Sequence, residues 1–144
     1  MATVCRIGLD TAKNIFQVCA LDGDGRLVST RRLRRAQALD WFARLDRAEG
    51  CVVGLEATGG SHYWARALRG LGYRVGLLAP PAVKPYRQGQ KTDARDAAAI
   101  AEAVARESVV EAPIKSEAQQ ARLARLARLG DRRRLVERRT ALGN

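Results

Sequence analysis

Arg6-Ile-Gly-Leu-Asp-Thr-Ala-Lys13 decides the fold, because here an apolar run climbs to a single acid and then breaks into small and polar residues. Thr3 to Leu9 reads as a buried strand: Val4, Ile7 and Leu9 supply the apolar and β-branched content. Gly8 inside that run predicts that something approaches the backbone closely. Asp10 closes the strand, so its carboxylate is positioned by the sheet and not solvated at random. Working outward, Thr11-Ala-Lys-Asn14 reads as a turn, Ile15 to Leu21 as a second strand and Asp22-Gly-Asp-Gly25 as a tight turn. Arg26 to Leu33 then completes a three-stranded antiparallel meander, as short turns between successive strands require.

From Ala36 to Arg47 the period changes. Leu39, Phe42 and Leu45 recur every three residues, which predicts an amphipathic helix ended by Gly50. Cys51-Val-Val-Gly-Leu-Glu56 is a fourth strand that again closes on an acid. Ala57-Thr-Gly-Gly60 forms the loop, Ser61 is a candidate N-cap, and His62 to Arg69 is a helix closed by Gly70 or Gly72. Tyr73 to Ala79 is a fifth strand stopped by Pro80-Pro81, and Val83 to Gln90 is a basic connection that is either mobile or in contact with phosphate. Lys91-Thr-Asp-Ala-Arg-Asp96 opens a helix running to about Glu107. Three meandering strands followed by alternating helices and strands imply a five-stranded mixed sheet flanked by helices, since the later crossovers need parallel strands. That α/β order is the order of the ribonuclease H-like fold.

The chain carries 26 Lys and Arg against 15 Asp and Glu, a net charge of +11. A polyanionic partner is the expectation, with nucleic acid first and an anionic membrane surface second. No apolar run approaches the ~18–20 residues of a membrane span and no secretory leader is evident, so a cytoplasmic protein is expected. Cys5, Cys19 and Cys51 lie far apart in strand-like runs and read as small buried hydrophobes. With His62 as the single imidazole, zinc and a Ser-His-Asp triad both lack support. Arg31, Arg32, Arg34 and Arg35 form either a solvated sheet edge or a phosphate-contacting one, and Lys84, Arg87 and Lys91 are further candidates for nucleic-acid contact. Residues 1–113 are read as one domain. Residues 114–144 hold nine basic and three acidic residues, and Leu123, Leu126 and Leu129 begin a helical extension there without a sustained heptad.

Four carboxylates remain. Asp10 and Glu56 end strands that lie side by side in this topology, and Asp93 and Asp96, three apart, project from one helix face that can return across the same sheet end. Taken singly they read as a turn residue, a loop acid, an N-cap and a solvated first-turn acid. Together they would repel one another unless cations occupy the site or some keep their protons, and hard oxygen ligands select magnesium or manganese. Two such ions about 4 Å apart can activate a nucleophile and stabilise the leaving oxygen of a phosphodiester.

Ile7-Gly-Leu-Asp10 with Lys13-Asn-Ile-Phe-Gln17, Leu55-Glu-Ala-Thr-Gly-Gly-Ser-His-Tyr-Trp-Ala-Arg66, Val83-Lys-Pro-Tyr86, Lys91-Thr-Asp-Ala-Arg-Asp-Ala97 and Pro113-Ile-Lys-Ser-Glu-Ala-Gln-Gln120 together resemble the N-terminal half of the DEDD-type transposases of bacterial insertion sequences, relatives of the Piv and MooV invertases. The resemblance covers essentially the whole chain. It implies a RuvC-like domain in which Asp10, Glu56, Asp93 and Asp96 are the catalytic acids and bind Mg2+ or Mn2+. It also implies DNA as substrate, a structured guide (bridge) RNA as partner, and a homo-oligomer in the full-length protein. On that plan the segment from Glu117 is the start of a truncated coiled-coil region, and a C-terminal serine-bearing domain lies outside the chain. The expected function is accordingly the metal-dependent N-terminal domain of a DNA transposase. The alternative is a non-catalytic guide-RNA- and DNA-binding module whose chemistry needs the serine domain.

Overall fold

The computed structural model describes residues 2–143. Its strands are β1 (Val4–Asp10), β2 (Ile15–Leu21), β3 (Leu27–Arg34), β4 (Arg47–Glu56), β5 (Arg74–Leu78) and β6 (Glu111–Ala112). Its helices are α1 (Ala38–Arg44), α2 (Ser61–Gly70), α3 (Pro80–Val83), α4 (Asp93–Ala103) and α5 (Glu117–Gly143). The sheet order is β3-β2-β1-β4-β5-β6. β1 is antiparallel to β2 and parallel to β4, β5 continues the parallel set, and β6 pairs antiparallel to β5. This is the mixed RuvC-like sheet that the order of elements predicts, with one more strand. β6 is two residues long and carries no apolar run, so nothing in its composition announces it.

Alternation sorts the sheet into two faces. Ile7, Leu9, Phe16, Val18, Val53, Leu55, Val75 and Leu77 join Phe42, Trp64 and Leu68 in one core. The opposite face is covered by α4 and opens with a row of glycines: Gly8 pairs with Gly54, and Gly54 with Gly76. A Cβ at Gly8 would stand 1.9 Å from the Ala97 carbonyl oxygen and 2.6 Å from the Ala101 nitrogen, and one at Gly54 would meet Val104 and Ile100. The row therefore lets the Ala-rich helix lie at backbone distance on the sheet. The close approach inferred from Gly8 is the approach of α4.

Several boundaries differ from the sequence reading. The first helix is shorter than 36–47: a 3-10 turn at Arg35–Gln37 leads into α1, which ends at Arg44. Arg47 is drawn instead over the Tyr73 ring at 3.7 Å and donates to the Leu71 carbonyl at 2.9 Å, so the chain enters β4 there. Gly50 does not end a helix but lies inside β4 at φ +72°, where the register against β1 shifts. Ser61 is not an N-cap. Gly60 holds that position, while the Ser61 hydroxyl donates to the Thr58 carbonyl and accepts from the Thr58 N–H, both at 2.8 Å. Pro80 and Pro81 stop β5 and also open α3, where a missing N–H costs nothing. Cys19 and Cys51 are buried and Cys5 half-buried, all three free.

The chain divides into two compact units, residues 1–114 and 115–144. The second is α5, a 27-residue helix that runs through Gly130 without a break and has no buried residue among those described. No helix among the described residues is long and apolar enough to cross a membrane.

Candidate metal centre

β1 and β4 run parallel with Leu9 opposite Leu55, so Asp10 and Glu56 leave the sheet at the same edge and on the same face, the one that α4 covers. The helix reaches that edge with its first turn. Thr92 is its N-cap, and its hydroxyl accepts from the Arg95 N–H at 3.2 Å. Capping by Thr92 leaves Asp93 without that structural duty, and the three-residue spacing turns Asp93 and Asp96 toward Asp10. One carboxylate oxygen from each of Asp10, Asp93 and Asp96 lies within 4.8 Å of the other two. Glu56 stands outside this group. It lines the same cavity of about 580 Å³, whose wall also includes Lys84, Arg87 and Lys91. The sequence reading of four converging acids is therefore corrected to three acids and a fourth at the cavity wall.

The electrostatics follow from this crowding. Burial pushes the Asp10 carboxyl up from its ordinary 3.8 to about 6, with repulsion from Asp96, Asp93 and Glu56 adding to it and Arg87 opposing it. Asp96 is buried. Its Oδ1 forms an ion pair with Arg87 Nε at 2.6 Å, and among the described residues neither atom has a further hydrogen-bond partner. A buried carboxylate oxygen with unused acceptor capacity, beside two more carboxylates and an arginine, is a site that asks for a cation. The donor set is all oxygen, which fits a hard divalent ion.

Some neighbours went unnoticed in the sequence. Gln17 is buried and pairs in register with Asp10, so its side chain stands beside the acid on the same face. Strand pairing across the Thr11–Asn14 turn is the signal that would have found it. The ion pair between Arg87 and Asp96 joins a loop to a helix and has no sequence signature. The arginines assigned to nucleic acid lie elsewhere. Arg31, Arg32 and Arg34 are exposed on β3, the edge strand, and Arg35 follows them with its Cζ 5.6 Å from the centroid of the Trp64 ring. His62 is buried on α2.

A family model described as "Transposase", that of the IS110-type DEDD enzymes, matches residues 7–144. The chain belongs to the IS110-type DEDD transposase family. It is 50% identical over 139 residues to the "Probable family 20 transposase" of Pseudomonas aeruginosa, covering 96% of this chain and 39% of that protein. It is 44% identical over 138 residues to the "Transposase for insertion sequence element IS1111A" of Coxiella burnetii, covering 96% of this chain and 36% of the relative. A Yersinia enterocolitica protein, "Transposase for insertion sequence element IS1328", is 34% identical over 121 residues, or 84% and 35% of the two chains. The chain thus spans under two-fifths of the length of the curated relatives it matches. The acid cluster of this chain, on β1 and α4, lies inside the matched residues.

Proposed function

We propose that this chain provides the divalent-metal part of a DNA transposition site. The observation that carries the reading is the convergence of Asp10, Asp93 and Asp96 at the edge of a RuvC-like sheet in a transposase family. These three would hold Mg2+ or Mn2+, with Glu56 at the rim of the cavity orienting what enters. Such an ion, when bound, supplies charge stabilisation at a phosphodiester and lowers the pKa of a coordinated water or hydroxyl. The chain's own contribution is to place the acids before the ion arrives: the glycine row fixes the depth of α4, and Thr92 fixes its start. Lys84, Arg87 and Lys91 line the same cavity and would meet the phosphate backbone there, with Arg87 also holding Asp96 in place.

A second reading is favoured by the position of the arginine edge. β3 lies two strands away from β1, so Arg31, Arg32 and Arg34 hold nucleic acid remote from the acids. In that reading the chain binds DNA and a structured guide RNA as part of a bacterial, cytoplasmic homo-oligomer, and the chemistry is completed by a serine-bearing segment. One experiment separates the two. The chain is titrated with Mg2+ or Mn2+ in the presence of branched DNA and of structured RNA, scoring cleavage and binding together, with Asp10→Ala alongside. Metal-dependent cleavage abolished by Asp10→Ala supports the first reading; tight binding without cleavage, unchanged in the variant, supports the second.

A further inference from the structure

On the far side of the Thr11–Asn14 turn from the acids, a cavity of about 820 Å³ is walled by Ile15, Leu39, Tyr63 and Trp64 and rimmed by Arg34 and Arg35. Its volume is that of a site for a small ligand or a single nucleotide. Its chemistry is uneven in a useful way. Trp64 is 5% exposed and fixed from behind by Phe16, edge to face at 4.7 Å, so the floor is rigid. Tyr63, at right angles to Trp64 with the centroids 5.3 Å apart, is 49% exposed. Arg35 lies over the Trp64 ring, its Cζ 5.6 Å from the centroid, and brings a fixed positive charge to the groove. Among the described residues, Arg31, Arg32 and Arg34 form no ion pair with an acid.

The groove also neighbours the acid site through shared wall residues. Thr11 and Ala12 line the acid cavity, and they line a smaller cavity together with Arg35 and Trp64, which in turn line the groove. A polyanionic strand with a phosphate at the acids and its backbone along Lys13 would bring a neighbouring base to Tyr63 and Trp64. A paired base has its face covered by its own stack, so only an unpaired one can enter.

We propose that the Tyr63–Trp64–Arg35 groove holds an unpaired base of the nucleic-acid strand that the acid cluster engages. The proposal deepens the function proposed above and rests on its placement of nucleic acid at the acids. Charge complementarity commits the groove to this occupant: arginines rim it and no acid lines it. The ligand chemistry is a single-stranded nucleotide, whether DNA or RNA supplies it.

The test uses oligonucleotides carrying one 2-aminopurine, whose fluorescence is quenched by stacking, mixed with the chain in EDTA so that no step depends on metal. Single-stranded DNA and RNA of one sequence are compared with their duplexes. A quench on the single strands and not the duplexes is expected, and whichever polymer quenches at lower concentration is the source of the base. Tyr63→Ala should weaken single-strand binding about 5- to 100-fold and remove the quench, as the loss of one base–aromatic stack does. Tyr63→Phe should keep both. Tyr63 is on the surface, so its variant folds where a Trp64 variant would not. Tyr63→Ala binding and quenching like the parent would overturn the proposal. So would lost self-association with unchanged oligonucleotide binding, which would assign the groove to a second copy. The titration is then repeated with Mg2+ in place of EDTA: Tyr63 effects intact with no change on adding the metal would count against the acid site and leave the groove standing.

Discussion

Asp10 couples the site to pH with a sign that can be worked out. In the metal-free chain its carboxyl holds its proton up to about pH 6, whereas unfolded it would lose it near 3.8. Between those values the native state binds more protons than the unfolded one, so its stability falls as pH rises through that window. Thermal melts in EDTA should accordingly show Asp10→Asn gaining on the parent from pH 4 to 7. Added Mg2+ should stabilise the parent above about pH 6, where the acid is ionised, and should not stabilise Asp10→Asn. The same geometry ranks the other acids. Asp96→Asn, inside the cluster, should weaken Mn2+ binding at least about tenfold, and Glu56→Gln, outside it, by clearly less, read by titration calorimetry; equal losses would put Glu56 in the coordination sphere. A strand that stays apolar until it ends on an acid made Asp10 and Glu56 legible in the sequence. Their unequal standing was not, because it depends on distances between side chains from three elements. Gln17 and the Arg87–Asp96 pair were hidden for the same reason.

At the scale of elements the site depends on how deeply α4 sits on the sheet. The glycine row is the device, and its members are not equivalent. A methyl at Gly8 meets backbone atoms of α4, which can yield only if the helix moves, whereas at Gly76 it meets the Glu111 carboxylate and a Val104 methyl. Gly8→Ala is expected to destabilise the chain by about 3 kcal/mol or more, at the upper end of overpacking costs, and Gly76→Ala by nearer 1 kcal/mol. Urea unfolding measures both. Gly8→Ala should also lose metal binding under conditions where it remains folded, since lifting α4 carries Asp93 and Asp96 away from Asp10. Helices and strands with strong periodicity were readable here, and the strand β2 was readable to the residue. The misread stretch, 36–50, is one where tertiary contacts override local pattern: the Leu39, Phe42, Leu45 spacing continues past the helix, but Arg47 is held over Tyr73 and the chain is already a strand. Gly50 looked like a helix stop because a left-handed glycine serves equally at a helix end or a strand irregularity.

For the molecule as a whole, the question is where its +11 is used. The acid cavity takes three cations, Lys84, Arg87 and Lys91, to balance four carboxylates, so it contributes little net attraction at long range. Excess positive charge resides on the β3 edge and on α5, and each has a purely structural explanation: arginines on an edge strand deter strand addition, and charges on an exposed helix keep it solvated. Counterion release separates that explanation from a binding role, because every cation that meets a phosphate adds to the salt dependence and one that merely solvates adds nothing. If β3 carries nucleic acid, Arg31→Gln with Arg32→Gln should reduce the magnitude of the slope of log K against log salt by roughly 1.4 and 1.8, for single-stranded and duplex DNA respectively. An unchanged slope, with more self-association of the variant, would make the arginines guards of the edge. Arg132→Gln with Arg133→Gln on α5 is the matched measurement on the other unit. A slope that responds to the edge and not to the helix would place the nucleic acid on the unit that carries the acids, whereas the reverse would assign electrostatic capture to the helix and leave the first unit to position the strand.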